Sequence, residues 1–179
     1  MNVRWDLSAF EGRGYDKGRS VPSQFAWMAC QYSIFKRWWC PNRVRLAILR
    51  MFGATIGEGV IIRHNVTVHW PWKLSVGDHS WIGEGSWILN LEPVSVGKNS
   101  CISQEVFLCT GSHDRRSASF EFDNGPVTIG DNVWLAARAS VLRGVSVGDG
   151  CVVGATALVT RSVPQGSFVF SPRSEVRSL

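Results

Sequence analysis

The feature that most constrains the fold is an aliphatic residue that recurs about every six residues from Ile56 to Val159. The residue two places before each of these is small or apolar. Because residues i−2 and i of a strand face the same side, each unit is predicted to be a short strand with two inward side chains, followed by a turn. These recurring aliphatic residues are Ile56, Ile62, Val68, Val76, Ile82, Ile88, Val96, Ile102, Leu108, Ile129, Leu135, Val141, Val147, Val153 and Val159.

A period of six excludes an amphipathic helix, in which apolar residues recur every three and four positions. Short strands at a fixed hexapeptide period are typical of a parallel β-helix, where each coil buries the next. Every third unit reads IGEG, VGDH, VGKN, IGDN or VGDG, so one coil is three units. The shared glycine indicates a turn that uses its tolerance of positive φ. The chain is therefore predicted to be an all-β solenoid of about five coils over residues 53–163.

Extra residues enter the repeat only after the third unit of a coil. Two follow Val68, two follow Ile88, and fifteen follow Leu108, where they open an insertion loop over 109–126. Since coils stack directly on one another, these excursions are predicted to share one corner, which is where solenoids usually place binding or chemistry. His113 lies in the long loop. Its imidazole is the side chain suited to act as a base at neutral pH without special tuning.

The ends of the chain differ from the repeat. Residues 1–52 carry nine Lys/Arg and three Asp/Glu, a net charge of +6, whereas residues 53–179 carry ten and eleven, a net of −1. The apolar runs at 22–38 and 42–51 predict two helices. Two roles remain open for this segment: a cap on the first coil, or a membrane-surface contact by its tryptophans and basic residues. Residues 164–179 are predicted to be a polar tail.

Composition narrows the class of protein. A nucleic-acid binder usually spreads basic residues over its main face, so the nearly neutral repeat argues against nucleic acid as a partner. The five cysteines are irregularly spaced and contain no CxxC, which favours free thiols in a reducing compartment. The N-terminus has no signal-peptide core. The expected location is cytoplasmic, with the inner face of the membrane as the alternative that the basic segment suggests.

The hexapeptide rhythm, the loop opening TGSHD at 110–114, and the stretch GVSVGDGCVVGATALVTRSVP resemble the hexapeptide-repeat acyltransferases, over about residues 50–168. The combination of HWPWKLSVGDHSWIGEGSWILNLEPVSVG with FLCTGSHD is most similar to the colanic-acid-biosynthesis (WcaF-like) acetyltransferase subgroup. The resemblance implies left-handed coils, although ordinary crossover rules predict right-handed connections. It further implies a homotrimer with active sites between subunits, acetyl-CoA as donor, and a sugar hydroxyl as acceptor. The basic, Trp-rich segment suggests that the acceptor is a lipid-linked saccharide.

Acyl transfer to an alcohol needs a base, donors for the oxyanion, and aligned substrates. His113 is the predicted base, and Asp114 is predicted to orient its imidazole or to bind the acceptor. Asn90 and Glu92 lie in the preceding excursion at the same corner, so Asn90 is a candidate oxyanion or acceptor contact and Glu92 a candidate for a sugar hydroxyl. Ser112 is a candidate acceptor contact that also suits a turn. The resemblance implies direct transfer, without an acyl-enzyme on Cys109.

For the donor, the resemblance implies that the pantetheine arm runs along the last coils, beside Ala137, Ala155 and Thr156, with Arg161 near the CoA phosphates. Trp134 is a candidate wall of the cleft, with outward packing at a trimer interface as the alternative. The chain departs from the family after the repeat, where Glu175 replaces an expected basic residue. Arg173 and Arg177 are the candidates to compensate.

Two other functions use the same fold. His64 and His69 have the H-x4-H spacing of γ-class carbonic anhydrases, and the third ligand would come from a neighbouring subunit, with His79 as a candidate. Zinc catalysis needs three protein ligands, and surface histidines also explain this pair, so no metal is expected. The altered tail keeps a non-catalytic scaffold as the other alternative.

Overall fold

A computed structural model describes residues 4–171, and within them the repeat forms a parallel β-helix preceded by two short helices. The helices are α1 (Val21–Cys30) and α2 (Asn42–Met51), with a π-helical turn at Gln31–Phe35 between them. The strands are β1 (Thr55–Ile56), β2 (Ile61–Ile62), β3 (Thr67–Val68), β4 (Leu74–Val76), β5 (Trp81–Ile82), β6 (Trp87–Leu89), β7 (Val94–Val96), β8 (Cys101–Ile102), β9 (Phe107–Cys109), β10 (Val127–Ile129), β11 (Trp134–Leu135), β12 (Ser140–Val141), β13 (Ser146–Val147), β14 (Val152–Val153), β15 (Leu158–Val159) and β16 (Phe168–Val169).

The strands assemble into three parallel sheets, which we call faces 1, 2 and 3. Face 1 is β1-β4-β7-β10-β13, face 2 is β2-β5-β8-β11-β14-β16, and face 3 is β3-β6-β9-β12-β15. Successive strands along the chain therefore lie on different faces, and every third strand pairs, as the three-unit coil predicts. Strand β16 pairs with β14 and begins a sixth turn. The solenoid thus continues beyond residue 163, where the sequence predicted a tail. Val163 aligns with Val147 only four residues after Val159, so the six-residue period is broken there.

The core of the solenoid consists of the two inward positions of each repeat unit. The fifteen aliphatic positions are at most 8% exposed, and the fifteen positions two residues earlier are at most 7% exposed. Three of the latter are serines whose hydroxyls donate to carbonyls of the next coil. These bonds run from Ser80 to Gly97 (2.6 Å), from Ser86 to Ser103 (3.0 Å) and from Ser100 to Gly130 (2.8 Å). Buried hydroxyls therefore satisfy corner carbonyls that have few other donors.

The glycine shared by the first units serves a different purpose from the predicted one. None of Gly57, Gly77, Gly97, Gly130 and Gly148 has a positive φ. A Cβ on Gly77 would lie 2.7 Å from the carbonyl carbon of Gly97, and the other four would meet similar obstruction by the next coil. Glycine is required because consecutive coils approach closely at this corner. The prediction of positive φ was wrong, although the turn itself was correctly located.

The helical segment pairs with the open edge of the first coil. On face 1, Arg50 donates to the Ile56 carbonyl at 2.9 Å. On face 2, the Asn42 amide donates to the Val60 carbonyl at 2.9 Å and accepts from the Ile62 N–H at 2.8 Å.

On face 3, the Gln31 carboxamide accepts from the Val68 N–H at 2.7 Å, and the Trp27 indole donates to the Val68 carbonyl at 3.0 Å. Each exposed strand edge is thereby closed to pairing with another chain. The inner side of the segment therefore covers the open edge of the first coil. No helix among residues 4–171 has the length and apolarity needed to cross a bilayer.

Replacement of Asn42 by alanine should destabilise the protein by about 1–3 kcal/mol, because the β2 edge loses both a donor and an acceptor. Thermal or urea unfolding measures the change. Arg43→Ala, at an exposed position of the same helix, is the matched control and should leave the midpoint nearly unchanged. Equal effects of the two substitutions would contradict the capping role of Asn42.

Candidate active site

The three excursions stack at the corner between faces 3 and 1, as the repeat arithmetic predicts. The Asn90 Oδ1 accepts from the Trp70 N–H at 2.9 Å, and its Nδ2 donates to the Trp70 carbonyl at 2.5 Å. One coil further, the Thr110 hydroxyl donates to the Leu89 carbonyl at 3.0 Å and accepts from the Glu92 N–H at 2.9 Å. Side chains of one excursion therefore hold the backbone of the one below.

This ladder corrects the role predicted for Asn90. Its side chain is fully buried, and both of its polar atoms bind the Trp70 backbone. Because the side chain is fully buried, its second Nδ2 hydrogen is not exposed to an oxyanion or an acceptor. Asn90 therefore belongs to the architecture of the corner. Glu92 is half-buried in the same excursion and lies outside the set of side chains that line the His113 cleft.

The long loop folds back as an aromatic stack around His113. The imidazole is nearly parallel to Phe120, with ring centroids 4.4 Å apart at 7°, and it also stacks on Phe122 at 5.1 Å. A β-bridge joins the backbones of His113 and Phe122. These aromatics are not among the predicted site residues, although their F-x-F spacing within the insertion indicates two side chains on the same side of the chain.

The position of the imidazole proton follows from one contact. The His113 Nδ1 lies 2.7 Å from the Phe120 carbonyl oxygen. Because a carbonyl only accepts, Nδ1 must carry the proton, and the neutral imidazole then has its lone pair on Nε2. Phe120 presents this carbonyl from a left-handed backbone conformation, with φ 54°. Such a φ is costly for a bulky residue and is typical of functional sites.

An N-terminal arm, residues 4–19, covers the loop. Trp5 packs against Phe120 at 4.8 Å, and Phe10 makes an edge contact with the His113 ring at 5.7 Å. The Glu121 carboxylate accepts from the backbone N–H groups of Glu11 and Arg13 at 3.0 and 2.8 Å. No role was predicted for this arm, which has no apolar periodicity. The arm is part of the support for the candidate base.

A cleft of about 580 Å³ opens beside His113. Asp114 lines it, but its Oδ1 accepts from the Arg116 N–H at 2.8 Å and so shapes the loop. The Phe120 carbonyl, rather than Asp114, holds the imidazole, which corrects the orienting role predicted for Asp114. Ser112 also lines the cleft, and its backbone N–H donates to the Asn124 Oδ1 at 3.0 Å. The remaining lining residues are Arg115, Arg116, Asp123 and Arg143.

Cys109 lies at the root of the loop and is half-buried. Burial raises the pKa of its thiol above the ordinary value, and a weaker hydrogen bond to Gly111 lowers it. Since the thiolate is the nucleophilic form, a raised pKa argues against a covalent intermediate here.

The predicted donor residues occupy two different corners of the chain. Ala137, Ala155 and Thr156 lie together between faces 2 and 3, where the Thr156 N–H donates to the Ala137 carbonyl at 3.0 Å. Arg161 follows β15, at the corner of the His113 loop. Trp134 is 50% exposed on the outer side of face 2, where its indole donates to Ser103 at 2.9 Å. Arg173, Glu175 and Arg177 lie outside the described residues.

The predicted metal ligands do not converge. His64 lies 3.0 Å from the Glu84 carboxylate, whereas His69 packs against Trp70 at 4.3 Å between ring centroids. Within residues 4–171, no three His, Cys, Asp or Glu side chains are close enough to hold a metal ion. The carbonic-anhydrase alternative therefore gains no support from the geometry.

The fold and the loop together define the class of protein. It is a hexapeptide β-helix that presents a histidine from an outward loop, and within residues 4–171 the Nε2 of that histidine has no hydrogen-bond partner. Family models for "Bacterial transferase hexapeptide (six repeats)" match residues 126–161, and for "Hexapeptide repeat of succinyl-transferase" residues 73–108. The chain is 42% identical to the putative colanic acid biosynthesis acetyltransferase WcaF of Escherichia coli K12 over 163 residues, which is 89% of this chain and 88% of that protein. The chain therefore belongs to the hexapeptide-repeat acetyltransferase family.

More distant proteins share the architecture. The galactoside O-acetyltransferase of Escherichia coli K12 is 28% identical over 67% of this chain and 61% of its own. A hexapeptide-repeat acetyltransferase of Vibrio cholerae, solved in complex with acetyl coenzyme A, superposes with a TM-score of 0.77 at 20% identity and covers 90% of each chain. The second likeness is one of fold.

If the arm supports the loop around His113, Phe10→Ala should loosen residues 113–123 with little effect on global stability. Trypsin should then cleave after the exposed Arg115 and Arg116 several times faster than in the parent protein. The matched control is Leu7→Ala, because Leu7 lies in the same arm but is 65% exposed. Unchanged cleavage in the Phe10 variant, or equal acceleration in both, would show that the arm does not order the loop.

Proposed function

We propose that the protein transfers an acetyl group from acetyl-CoA directly to a saccharide hydroxyl, with His113 as general base. The observation that carries this proposal is the imidazole held through Nδ1 by the Phe120 carbonyl, with no hydrogen-bond partner on Nε2 among residues 4–171. The family relation supports the reaction class, and the names of the colanic acid and galactoside acetyltransferases support a saccharide as the acceptor. Relatives of this kind argue against a non-catalytic scaffold.

The proton transfers of the reaction fit this arrangement. The Nε2 lone pair accepts the proton of the acceptor hydroxyl as its oxygen attacks the thioester carbonyl carbon. The imidazolium formed shares its Nδ1 proton with the Phe120 carbonyl, which stabilises the positive charge. As the C–S bond breaks, Nε2–H returns its proton to the departing sulfur. The protonated thiol of Cys109 takes no part, and one histidine suffices for both transfers.

The proposed donor site needs more than one copy of the chain. His113 stands at the corner between faces 3 and 1, whereas Ala137, Ala155 and Thr156 stand at the corner between faces 2 and 3. The full width of face 3 separates these corners within one chain. We therefore propose the homotrimer that the family resemblance implies, in which the base of one subunit faces the donor corner of its neighbour.

Substitution of His113 by alanine should lower kcat for acetyl transfer by about 10²–10⁴-fold, the usual contribution of a general base. Release of free CoA thiol from acetyl-CoA, with candidate sugars as acceptors, measures it. His79→Ala removes a histidine outside the cleft and should retain activity. Full activity of the His113 variant would disprove the proposed base, and absence of sugar-dependent thiol release in the parent protein would count against the saccharide acceptor.

We also propose that the outer side of the helical cap contacts anionic membrane lipid. Trp38 is 79% exposed, Phe25 75% and Trp39 54%. Between Asp16 and Glu58 the sequence contains no Asp or Glu. Exposed aromatic side chains surrounded by basic ones, with no acidic residue among them, match the interface of a negatively charged bilayer. A lipid-linked saccharide would be reached from this surface.

The exposed basic residues Arg37 and Arg43 provide the test of membrane contact. Flotation with vesicles of neutral phosphatidylcholine, with and without phosphatidylglycerol, should show binding to the anionic vesicles. Arg37→Gln/Arg43→Gln should weaken it roughly tenfold or more, since each basic residue contributes about 1 kcal/mol near such a surface. Trp38→Ala should weaken it further.

The control removes the same charge elsewhere, as Lys98→Gln/Arg138→Gln on the exposed surface of the solenoid. Equal losses in the two double variants would indicate attraction by net charge alone. Absence of binding to anionic vesicles would disprove the proposed membrane contact but would not affect the proposal of acetyl transfer.

A further inference from the structure

A second cleft, of about 430 Å³, lies between the π-helical turn and the outer side of face 3. It shares Asn65 and Gly85 with an adjoining cleft of about 530 Å³ that continues past Glu84 and Gln104. The two form one open groove, which we call the cap groove. None of its lining residues belongs to the His113 cleft. The groove is therefore a separate site whose purpose the proposed chemistry leaves unexplained.

Trp87 forms an aromatic platform in the cap groove. It occupies the outward position of β6 and is 47% exposed, and its ring rests on Phe107 with centroids 4.9 Å apart. Among the hydrogen bonds of the described residues, its indole N–H has no acceptor. A large side chain that is braced from one side and bare on the other offers a rigid, low-entropy surface for a flat apolar face of a ligand.

Polar groups surround this platform. The exposed carboxamides of Asn65 and Gln104 line the groove. Neither ring nitrogen of His69 has a hydrogen-bond partner among residues 4–171. Burial, followed by the charges of Lys17 and Lys73, lowers the pKa of His69, so its imidazole is neutral and offers one donor and one acceptor.

A cation completes the groove. The Lys36 ammonium donates to the Thr67 hydroxyl at 2.8 Å and lies 5.3 Å from the centroid of the Tyr32 ring. Lys36 and Tyr32 are brought to the groove by the cap, whereas Trp87 and Thr67 belong to the solenoid. The π-helical geometry of Gln31–Phe35 is rare and often marks functional positions. Here it lets Gln31 close the face 3 edge while Tyr32 borders the groove.

We propose that the cap groove binds sugar units of the acceptor that are remote from the acetylated hydroxyl. A pyranose has an apolar C–H face for Trp87 and a rim of hydroxyls that both donate and accept, which matches the carboxamide, hydroxyl and neutral imidazole groups present. The open, elongated shape fits a chain of sugars. His69 lies at the same corner as the His113 loop, two coils below its root, a separation of roughly 10 Å at the usual strand spacing.

The ligand class rests on the saccharide acceptor of the proposed function, but the binding test is independent of acetyl transfer. Full-length protein carrying His113→Ala is applied to an array of neutral and acidic oligosaccharides of one to eight units. We expect binding to oligosaccharides and little to single sugars. Adding Trp87→Ala should weaken binding roughly three- to tenfold, the value of one aromatic contact. Trp87→Phe keeps an aromatic face and should largely restore it.

Leu158→Ala is the matched control, because Leu158 holds the outward position of β15 at the far end of the same face and is 60% exposed. Without His113→Ala, the Trp87→Ala variant should raise KM for a long acceptor while kcat and the KM for a single sugar stay constant. Absence of oligosaccharide binding, or equal binding by the Trp87→Ala protein, would overturn the inference. If His113-dependent transfer persists in that case, the proposed role of the cap groove is wrong and the proposed function stands.

Discussion

Every other feature of the molecule depends on the backbone hydrogen bonds between successive coils. The Gly77 N–H donates to the Val96 carbonyl at 2.8 Å, and one coil later the Gly97 N–H donates to the Ile129 carbonyl at the same distance. Such a ladder allows no extra residue inside a coil, because a shift of one residue would exchange inward and outward side chains. Insertions must therefore leave at a corner, and the corner must be the same in each coil if the excursions are to support one another. Asn90 and Thr110 provide that support.

A loop that leaves the ladder loses the order that the ladder provides. Its conformational entropy is large, and a general base needs a fixed position. The arm offsets this cost by placing Trp5 and Phe10 against the aromatic stack that surrounds His113. The strained backbone of Phe120, which costs on the order of 1–3 kcal/mol, persists because these contacts surround it. This strained conformation directs the Phe120 carbonyl at Nδ1, which fixes the tautomer that the proposed base requires.

The interior of this protein could be predicted from its sequence, because the repeat is an interior pattern. Both inward positions of each unit, the three-unit coil and the shared corner of the insertions are confirmed. The arm over residues 4–19 could not be predicted, since it packs through single aromatics without a period. Asn90 was misjudged because a buried amide that binds backbone and an exposed one that binds substrate look alike in sequence. The shared glycine was explained by φ, whereas the close approach of coils that requires it is a property of the stack.

Because the inward positions are fixed by packing, the outward positions are free to differ between faces, and they do. On face 1 they are all serine or threonine, namely Thr55, Ser75, Ser95, Thr128 and Ser146. On face 2 they include Trp81, Trp134 and Phe168, each about half exposed. Exposed aromatic side chains of this kind are costly in water, and the proposed homotrimer offers one way to cover them. The same strands that build a uniform interior thus present three chemically distinct exteriors, and the proposed cap groove uses one of them through Trp87 on face 3.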